Sequence, residues 1–152
     1  MAEAGVYART VAELDRAVQV GIASGRIISV SFPPEPPSDA DPDHAILDRI
    51  GAYLAGEADD FGDVTIGLTV PTDQRRVLET LRSVPYGESV TVERLARMTP
   101  ALDGDDPADR SLVETALAEN PVPLLIPDHR VTDGPHASPR DVVEVLRDLE
   151  GF

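Results

Sequence analysis

Residues 120–131 read Asn-Pro-Val-Pro-Leu-Leu-Ile-Pro-Asp-His-Arg-Val and contain three prolines. Each proline fixes φ and lacks a backbone N–H donor, so residues 121–127 cannot form a regular helix or a central strand. Leu124, Leu125 and Ile126 are strongly apolar and are expected to be buried. The sequence therefore predicts a rigid, buried, extended segment.

Three polar side chains follow the last proline. Asp128, His129 and Arg130 stand together, and Asn120, just before the first proline, can bond neighbouring backbone and brace the turn. A rigid backbone that presents such side chains is typical of a site. The alternative is a proline-stiffened connector that ends in solvated charges, and the residues alone leave both open.

Composition limits the class of protein. The 152 residues allow one domain or two small ones, and the 41% hydrophobic content favours a globular protein. The chain has no cysteine, which excludes disulfides, thiolate catalysis and thiolate metal sites. Because there is neither an apolar run of membrane-spanning length nor a signal-peptide pattern, we expect a soluble, cytoplasmic protein without membrane contact.

The charge balance is strongly acidic. The chain has 28 Asp and Glu residues against 13 basic residues, all of them arginine, and a formal net charge of -15. Multimolar salt would screen the resulting self-repulsion, which favours an extreme halophile; a GC-rich genome or a basic partner is the alternative. This charge argues against sequence-independent phosphate binding without excluding it, because local charge matters more than net charge.

The first seventy residues are predicted to form a small α/β subdomain. Four stretches read as strands, at residues 5–10, 17–25, 26–32 and 64–69. Ser24-Gly25 would supply a hairpin turn between the second and third strands. Residues 11–18 have weak helical spacing, and a clearer helix begins near Ala45 and stops at Gly56.

The second half is predicted to be mainly helical. Four helices are expected, at residues 73–83, 92–98, 107 to about 120, and 139–149. Thr72 and Thr91 would cap the first two, and Pro107 opens the third at a favoured position. A short helix, a turn and a second helix is the order of a helix-turn-helix, although that order alone is common.

Several motifs resemble the O6-alkylguanine-DNA alkyltransferases. They are Tyr53-Leu-Ala-Gly-Glu57 with Phe61, Gln74-Arg-Arg-Val-Leu-Glu-Thr-Leu81, Val84-Pro-Tyr-Gly-Glu88, residues 120–131 and Leu149-Glu-Gly151. The resemblance spans nearly the whole chain and implies an α+β fold. Residues 1–70 would be a ribonuclease-H-like α/β subdomain, and residues 71–152 a DNA-binding domain with a helix-turn-helix, similar to a winged helix.

The same resemblance assigns the polar residues to a site. In the family the last motif reads Pro-Cys-His-Arg, and the cysteine takes the alkyl group from a guanine flipped out of the duplex. Asp128 stands in its place, so alkyl transfer to sulfur is impossible. His129 resembles the residue that activates the thiol, Glu150 the carboxylate that orients it, and Asn120 and Arg130 residues that shape the site. We expect a degenerate site without catalytic residues, metal or cofactor.

Three roles for Asp128 stay open. Its carboxylate could form a charge-assisted, structural pair with a protonated His129. It could accept bonds from the N1–H and amino group of guanine, which would favour the undamaged base because O6-alkylguanine has no N1 proton. It could also be a displacement nucleophile whose ester is later hydrolysed with help from His129.

Positions that resemble the family's DNA contacts also differ. Val92 replaces a tyrosine that helps rotate the target nucleotide. Ser111 stands where an arginine fills the gap left by the flipped base, with Arg110 one position early. Glu114 replaces a small glycine, and the Gly-rich substrate loop is shortened to residues 132–138. Flipping a base costs a few kcal/mol, and these changes remove part of what offsets that cost.

The sequence therefore predicts a catalytically inactive, alkyltransferase-like protein, haloarchaeal in origin and monomeric. Its expected partners are double-stranded DNA, including DNA with O6-alkylguanine, and a repair protein. Two alternatives are a protein-interaction scaffold that has lost DNA binding and an enzyme in which Asp128 displaces the alkyl group.

The surface around the helix that begins at Pro107 should discriminate between DNA binding and the scaffold. The expected DNA-binding residues are Arg94, Arg97, Arg110 and Arg130 at phosphates, with Val92 and Ser111 at the same interface. A continuous positive patch would favour DNA. A face dominated by Glu114 and Glu119 would favour the scaffold.

Overall fold

The structure, a computed structural model, describes residues 4–152 and has an α+β architecture. Its regular elements are the strands β1 (Gly5–Val11), β2 (Arg16–Ala23) and β3 (Arg26–Ser31), followed by the helices α1 (Ala45–Leu54), α2 (Thr72–Leu81), α3 (Val92–Met98), α4 (Pro107–Ala118) and α5 (Arg140–Glu150). Two single 3-10 turns, Ala12–Leu14 and Asp128–Arg130, complete the order. The described helices are all too short and too polar to cross a lipid bilayer.

The three strands form an antiparallel sheet in the order β1-β2-β3. The predicted hairpin is confirmed, since β2 and β3 are joined by Ser24 and Gly25 with φ of 53° and 74°. Two consecutive residues with positive φ match the right-handed twist of the strands they connect. In the register, Val20 of β2 lies opposite Tyr7 of β1 and Val30 of β3.

Two predictions for the first half are wrong. Residues 11–18 are not helical, because Asp15 with φ of 51° ends the short 3-10 turn and the chain then enters β2. Residues 64–69 do not form a strand. Ile66 makes only an isolated bridge to Ile27, because Val30, farther along the same edge of β3, donates its N–H to the Pro121 carbonyl instead.

The helix boundaries in the second half follow local capping signals. Thr91 accepts the N–H of Arg94 and caps α3, and Asp106 caps α4 one residue before Pro107. Thr72 is not a cap, because α2 already begins at this residue and Pro71 holds the N-cap position.

The proline-rich segment is buried, as predicted, but the prediction that it is extended is wrong. Leu124 has a φ of 76° and the Ile126 N–H donates to the Val122 carbonyl at 2.9 Å, so the chain turns within the segment. Leu125 and Ile126 are completely inaccessible, and one hydrophobic cluster joins this segment to β2, α1, α2, α4 and α5. Asn120 braces the segment, since its Oδ1 accepts the N–H of Val122 and its Nδ2 donates to the Ile126 carbonyl, each at 3.0 Å. The next residues, from Asp128 onward, are thereby held in the interior.

Candidate functional site

Asp128, His129 and Arg130 lie on one 3-10 turn at the end of the proline-rich segment. Their exposed fractions are 0%, 0% and 2%, so the alternative of a connector with solvated charges is wrong. A buried charge is costly unless it is paired and hydrogen-bonded. The partners of these three side chains therefore determine what the site can do.

Glu150, the last residue of α5, accepts hydrogen bonds from His129 and Arg130 and forms a buried cluster with them. Its Oε1 accepts from Arg130 Nε at 2.8 Å and from the Gly87 N–H at 2.9 Å. Its Oε2 accepts from His129 Nε2 at 2.6 Å, from Arg130 Nη2 at 3.1 Å and from the Tyr53 hydroxyl. Burial alone would raise the pKa of Glu150, but the bonds from His129, Arg130 and Tyr53 lower it to about 2.

Arg130 is a structural cation in the interior. Beyond Glu150, its Nη1 donates to the Val84 carbonyl at 2.7 Å and to Asp60 at 3.2 Å. The prediction that Arg130 contacts DNA phosphates is therefore wrong, because its guanidinium is inaccessible and already paired within the chain.

Asp128 lies outside this ion-pair network. Its Oδ2 accepts from the Ala137 N–H at 2.9 Å and from Asn120 Nδ2 at 3.3 Å, while its Oδ1 has no partner among the described residues. Burial raises the pKa of Asp128, and the two N–H donors only partly offset that effect. The predicted Asp128–His129 pair is wrong, because His129 directs Nε2 to Glu150 and its Nδ1 has no partner in residues 4–152.

A cleft of about 570 Å³ runs beside this turn. It lies between β3 and the proline-rich segment, and Asn120 and Ala137, the two donors to Asp128, are part of its wall. Within the described chain, His, Asp and Glu side chains nowhere form a group of three or more that could hold a metal ion.

Apart from Arg130, the residues predicted for DNA contact are separate from this cluster. Arg94 and Ser111 are exposed, whereas Arg110 is half-buried and donates to the Gly104 carbonyl at 2.9 Å. Val92 is only 5% exposed, so its placement at an interface is wrong. It is buried because residues 132–138 pack over the start of α3, where Asp133 accepts the Val92 N–H.

The surface around α3 and α4 is acidic rather than continuously positive. Arg97 is paired with Glu93 and Asp105 at 2.5 and 3.3 Å, and Glu114 and Glu119 are exposed on and just beyond α4. No positive patch forms along the described face of α4.

Tyr53 is the member of the buried cluster that sequence reasoning missed. Its position on the apolar face of α1 predicts a core residue, and it is indeed 1% exposed. A buried tyrosine hydroxyl needs a hydrogen-bond partner, which was the available signal. The partner itself, Glu150, is 97 residues away along the chain, and the residues around it do not indicate that it pairs with Tyr53.

Comparison with known proteins shows which proteins the chain resembles. Residues 72–138 match the model for the DNA-binding domain of 6-O-methylguanine DNA methyltransferase. The methylated-DNA–protein-cysteine methyltransferase of Metallosphaera sedula is 32% identical over 110 residues, which cover 70% of this chain and 66% of that protein. The protein of the same name from Mycolicibacterium paratuberculosis is 34% identical over 85 residues, or 56% of this chain and 48% of that one.

Solved structures share the fold over nearly the whole chain. Mycobacterium tuberculosis OGT in complex with DNA has a TM-score of 0.73 at 22% identity, covering 95% of this chain and 92% of that chain. The O6-methylguanine-DNA methyltransferase of Pyrococcus kodakaraensis has a TM-score of 0.62 at 22% identity, covering 97% and 98%. The sequence match, by contrast, spans about half the length of the mycobacterial relative and two thirds of the Metallosphaera one. The chain belongs to the O6-methylguanine-DNA methyltransferase family and is a member without cysteine.

Proposed function

We propose that this protein is a non-catalytic, alkyltransferase-like member of its family that binds double-stranded DNA in the repair of alkylated guanine. The observation that carries the proposal is Asp128, a buried carboxyl at the position that the resemblance gives to the acceptor cysteine. Around it the His129–Glu150 pair is intact. A site that keeps this pair but has no thiol can hold its shape without accepting an alkyl group.

The proposal includes the division of the chain. Residues 1–70 would be the ribonuclease-H-like subdomain, and residues 71–152 the DNA-binding domain. Support for the second comes from the family match to residues 72–138. In that domain α3, the connection 99–106 and α4 would act as the helix-turn-helix, in a fold similar to a winged helix.

Few positive charges are available for DNA. Within residues 4–152, every arginine except Arg26, Arg76 and Arg94 donates to a carboxylate or a backbone carbonyl of the chain itself. Of these three, only Arg94 lies on α3. It borders a groove that Ser89, Thr91 and Thr132 also line. We therefore assign Arg94 as the principal phosphate contact, with Ser111 and Arg110 as secondary ones.

Arg94→Ala should weaken binding to any duplex regardless of sequence. One lost phosphate contact should make the slope of log K against log salt less steep by about 0.9. The measurement is a salt titration of duplex binding. Arg26→Ala is the matched control, because Arg26 is an exposed arginine on β3, outside the family's DNA-binding domain. Equal slopes for the wild type and Arg94→Ala would contradict the assignment.

Incubation with a duplex that contains O6-methylguanine should leave the protein's mass unchanged. The physical reason is that no thiol is present and that Asp128 is fully buried. Mass spectrometry of the intact protein, with short reaction times to capture a hydrolysable ester, is the measurement. A methyl-sized gain on Asp128 would contradict the non-catalytic assignment.

The proposed setting is the salt-rich cytoplasm of a haloarchaeon, where the protein acts as a monomer beside other repair proteins. Its support is the net charge of -15 with arginine as the only strongly basic residue. Binding assays therefore belong in multimolar KCl, with matched duplexes that contain or lack one O6-methylguanine. Equal binding would refute damage sensing, and no binding would refute DNA recognition.

A protein-interaction scaffold is the second candidate. The observation that favours it is the acidic α3–α4 face, where Glu114 and Glu119 are exposed and Arg97 is already paired. The same binding assay separates the two, because a scaffold would leave both duplexes unbound.

A further inference from the structure

The outer edge of β3 is only partly occupied by other parts of the chain. Ile27 pairs with the connection before α2, since its N–H donates to the Thr65 carbonyl and its carbonyl accepts from the Gly67 N–H. Farther along, Val30 donates its N–H to the Pro121 carbonyl at 3.0 Å. These bonds occupy the edge up to the Val30 N–H, and the strand then borders the cleft of about 570 Å³.

Two backbone groups beside the cleft have no partner among the described residues. In an antiparallel pair, successive residues direct their backbone groups alternately toward the neighbouring strand and away from it. Val30 points away from β2, because its N–H is bonded to the proline-rich segment, so its carbonyl faces the outer edge as well. Phe32 also points away, because the next residue, Pro33, directs its carbonyl to the Ala17 N–H of β2 at 2.9 Å. Within the described chain, the Val30 carbonyl and the Phe32 N–H are therefore unpaired on the same edge, before and after Ser31.

This pair of groups fits one residue of a parallel strand. In a parallel ladder, a residue donates its N–H to the residue that precedes its partner and accepts from the residue that follows it. A guest residue opposite Ser31 would thus bond both the Val30 carbonyl and the Phe32 N–H. An antiparallel guest would need both groups of one residue, but the Val30 N–H is bonded to Pro121 and the Phe32 carbonyl accepts from Arg16 Nη1 at 3.0 Å.

The walls of the cleft contain no charged residue, although the protein has a net charge of -15. One wall is the edge formed by residues 29–33, and the facing wall consists of Asn120, Pro121, Pro123, Ala137 and Pro139. The prolines lack an N–H group, so they offer a guest apolar contact without competing for its carbonyl groups. A nucleic acid finds no cation here for its phosphates, and a charged side chain finds no counter-charge. The walls therefore favour an extended peptide with uncharged side chains.

We propose that this cleft docks an extended, uncharged segment of a partner protein, which adds a parallel strand to β3 opposite Ser31. Unpaired strand edges are templates for a further strand, and peptides recognised in this way gain affinity from main-chain bonds and specificity from side-chain pockets. The cleft volume lies within the range of about 300–1,000 Å³ that is typical of ligand sites. This docking site goes beyond the proposed DNA binding and depends neither on Arg94 nor on the α3–α4 face.

The test uses the whole protein in multimolar KCl and a synthetic hexapeptide of alternating threonine and valine with blocked ends. The first measurement is hydrogen exchange at the Phe32 N–H, followed by NMR, because docking gives this group an acceptor. Saturating peptide should slow Phe32 exchange roughly tenfold. The Val30 N–H is the internal reference and should change less, because it is already bonded to Pro121. Unchanged exchange at Phe32, or no binding at millimolar peptide, would overturn the proposal.

Two N-methylated forms of the hexapeptide test whether main-chain bonds hold it. One form is methylated on all three valines and the other on all three threonines, and only one of these alternating sets can direct its N–H groups to β3. One form should therefore bind at least about tenfold more weakly than the parent peptide, while the other stays within about threefold. Equal Kd values for the two forms would contradict strand addition.

Ala137→Phe tests the location, because Ala137 is exposed in the cleft wall and a larger side chain would fill the space. Ala55→Phe is the matched control, at an exposed alanine just after α1. Ala137→Phe should raise the Kd for the hexapeptide at least about tenfold, whereas the control should bind as the wild type does. Equal Kd values for the two variants would overturn the proposal. Protection of the Phe32 N–H by duplex DNA, or by raised protein concentration without peptide, would also overturn it and assign the edge to nucleic acid or to a second copy of the chain.

Discussion

Glu150→Gln should lower the free energy of unfolding at pH 7 by about 3–5 kcal/mol, because it removes one partner of a buried ion pair. The glutamine is nearly isosteric, but it leaves the Arg130 guanidinium without its buried counter-charge. Its amide N–H group would also face donors from Arg130, His129 or Gly87, all of which now point at the carboxylate. Urea unfolding measures the loss.

The same variant should change the acid limb of the stability curve. The pKa of Glu150 is lowered from its ordinary value of 4.5 to about 2 in the folded protein. Its stabilising contribution is therefore present above pH 4.5 and is lost as the pH falls toward 2. The stability difference between the wild type and Glu150→Gln should shrink over this interval.

Glu144→Gln is the matched control for Glu150→Gln. Glu144 lies on the same helix, is exposed, and pairs only with Arg140 at 3.4 Å. Its removal should change stability by no more than about 1 kcal/mol. If Glu150→Gln behaved like this control, the buried network would not be the stabilising feature described above.

Asp128→Asn should have the opposite sign and raise stability at pH 7, by on the order of 2 kcal/mol, because a buried carboxylate without a cation is costly. The asparagine Oδ1 can still accept from Ala137 N and Asn120 Nδ2, so both existing bonds survive. The amide N–H group takes the place of Asp128 Oδ1, which has no partner among the described residues, so an unbonded donor offsets part of the gain from removing the charge. The measurement is again urea unfolding, at two pH values.

The pH dependence follows from the raised pKa of Asp128. The folded state favours the protonated carboxyl, so stability is lost as pH rises through the folded pKa. The gain from Asp128→Asn should therefore be larger at pH 7.5 than at pH 4. Asp39→Asn controls for the change in net charge, because Asp39 is exposed in the connection between β3 and α1. A destabilising Asp128→Asn at both pH values would contradict the expected sign.

Features of the fold that depend on local chemistry were predictable. The turn at Ser24-Gly25, the start of α3 after Thr91 and the start of α4 at Pro107 each follow from residues at that point. The buried proline-rich segment was also predictable, because prolines exclude helix and strand while its aliphatic residues require burial. The helix predicted at residues 11–18 is not formed. Its apolar spacing is weak, and the residues from Arg16 onward pair with β1 as strand β2 instead.

The partners of charged side chains were not predictable from residues alone. A guanidinium binds a phosphate or an internal carboxylate by the same chemistry, so nothing local shows that Arg130 is used internally and Arg94 is not. The burial of Val92 likewise depends on Gly134, far along the chain. The contact between His129 and Glu150 was predicted only from the family resemblance. The resemblance did not predict that the Tyr53 hydroxyl donates to the same carboxylate.

The buried network also bears on how such a site can change over generations. Substitution of Glu150 or Arg130 alone leaves an unpaired charge in the interior, so removing the network requires several replacements at once. Asp128 is bonded only to Asn120 and the Ala137 backbone, so this position can change by itself. A single substitution at position 128 can therefore leave the rest of the buried network in place. Retention of His129, Arg130 and Glu150 is therefore expected from their buried contacts alone, whatever the side chain at position 128 does.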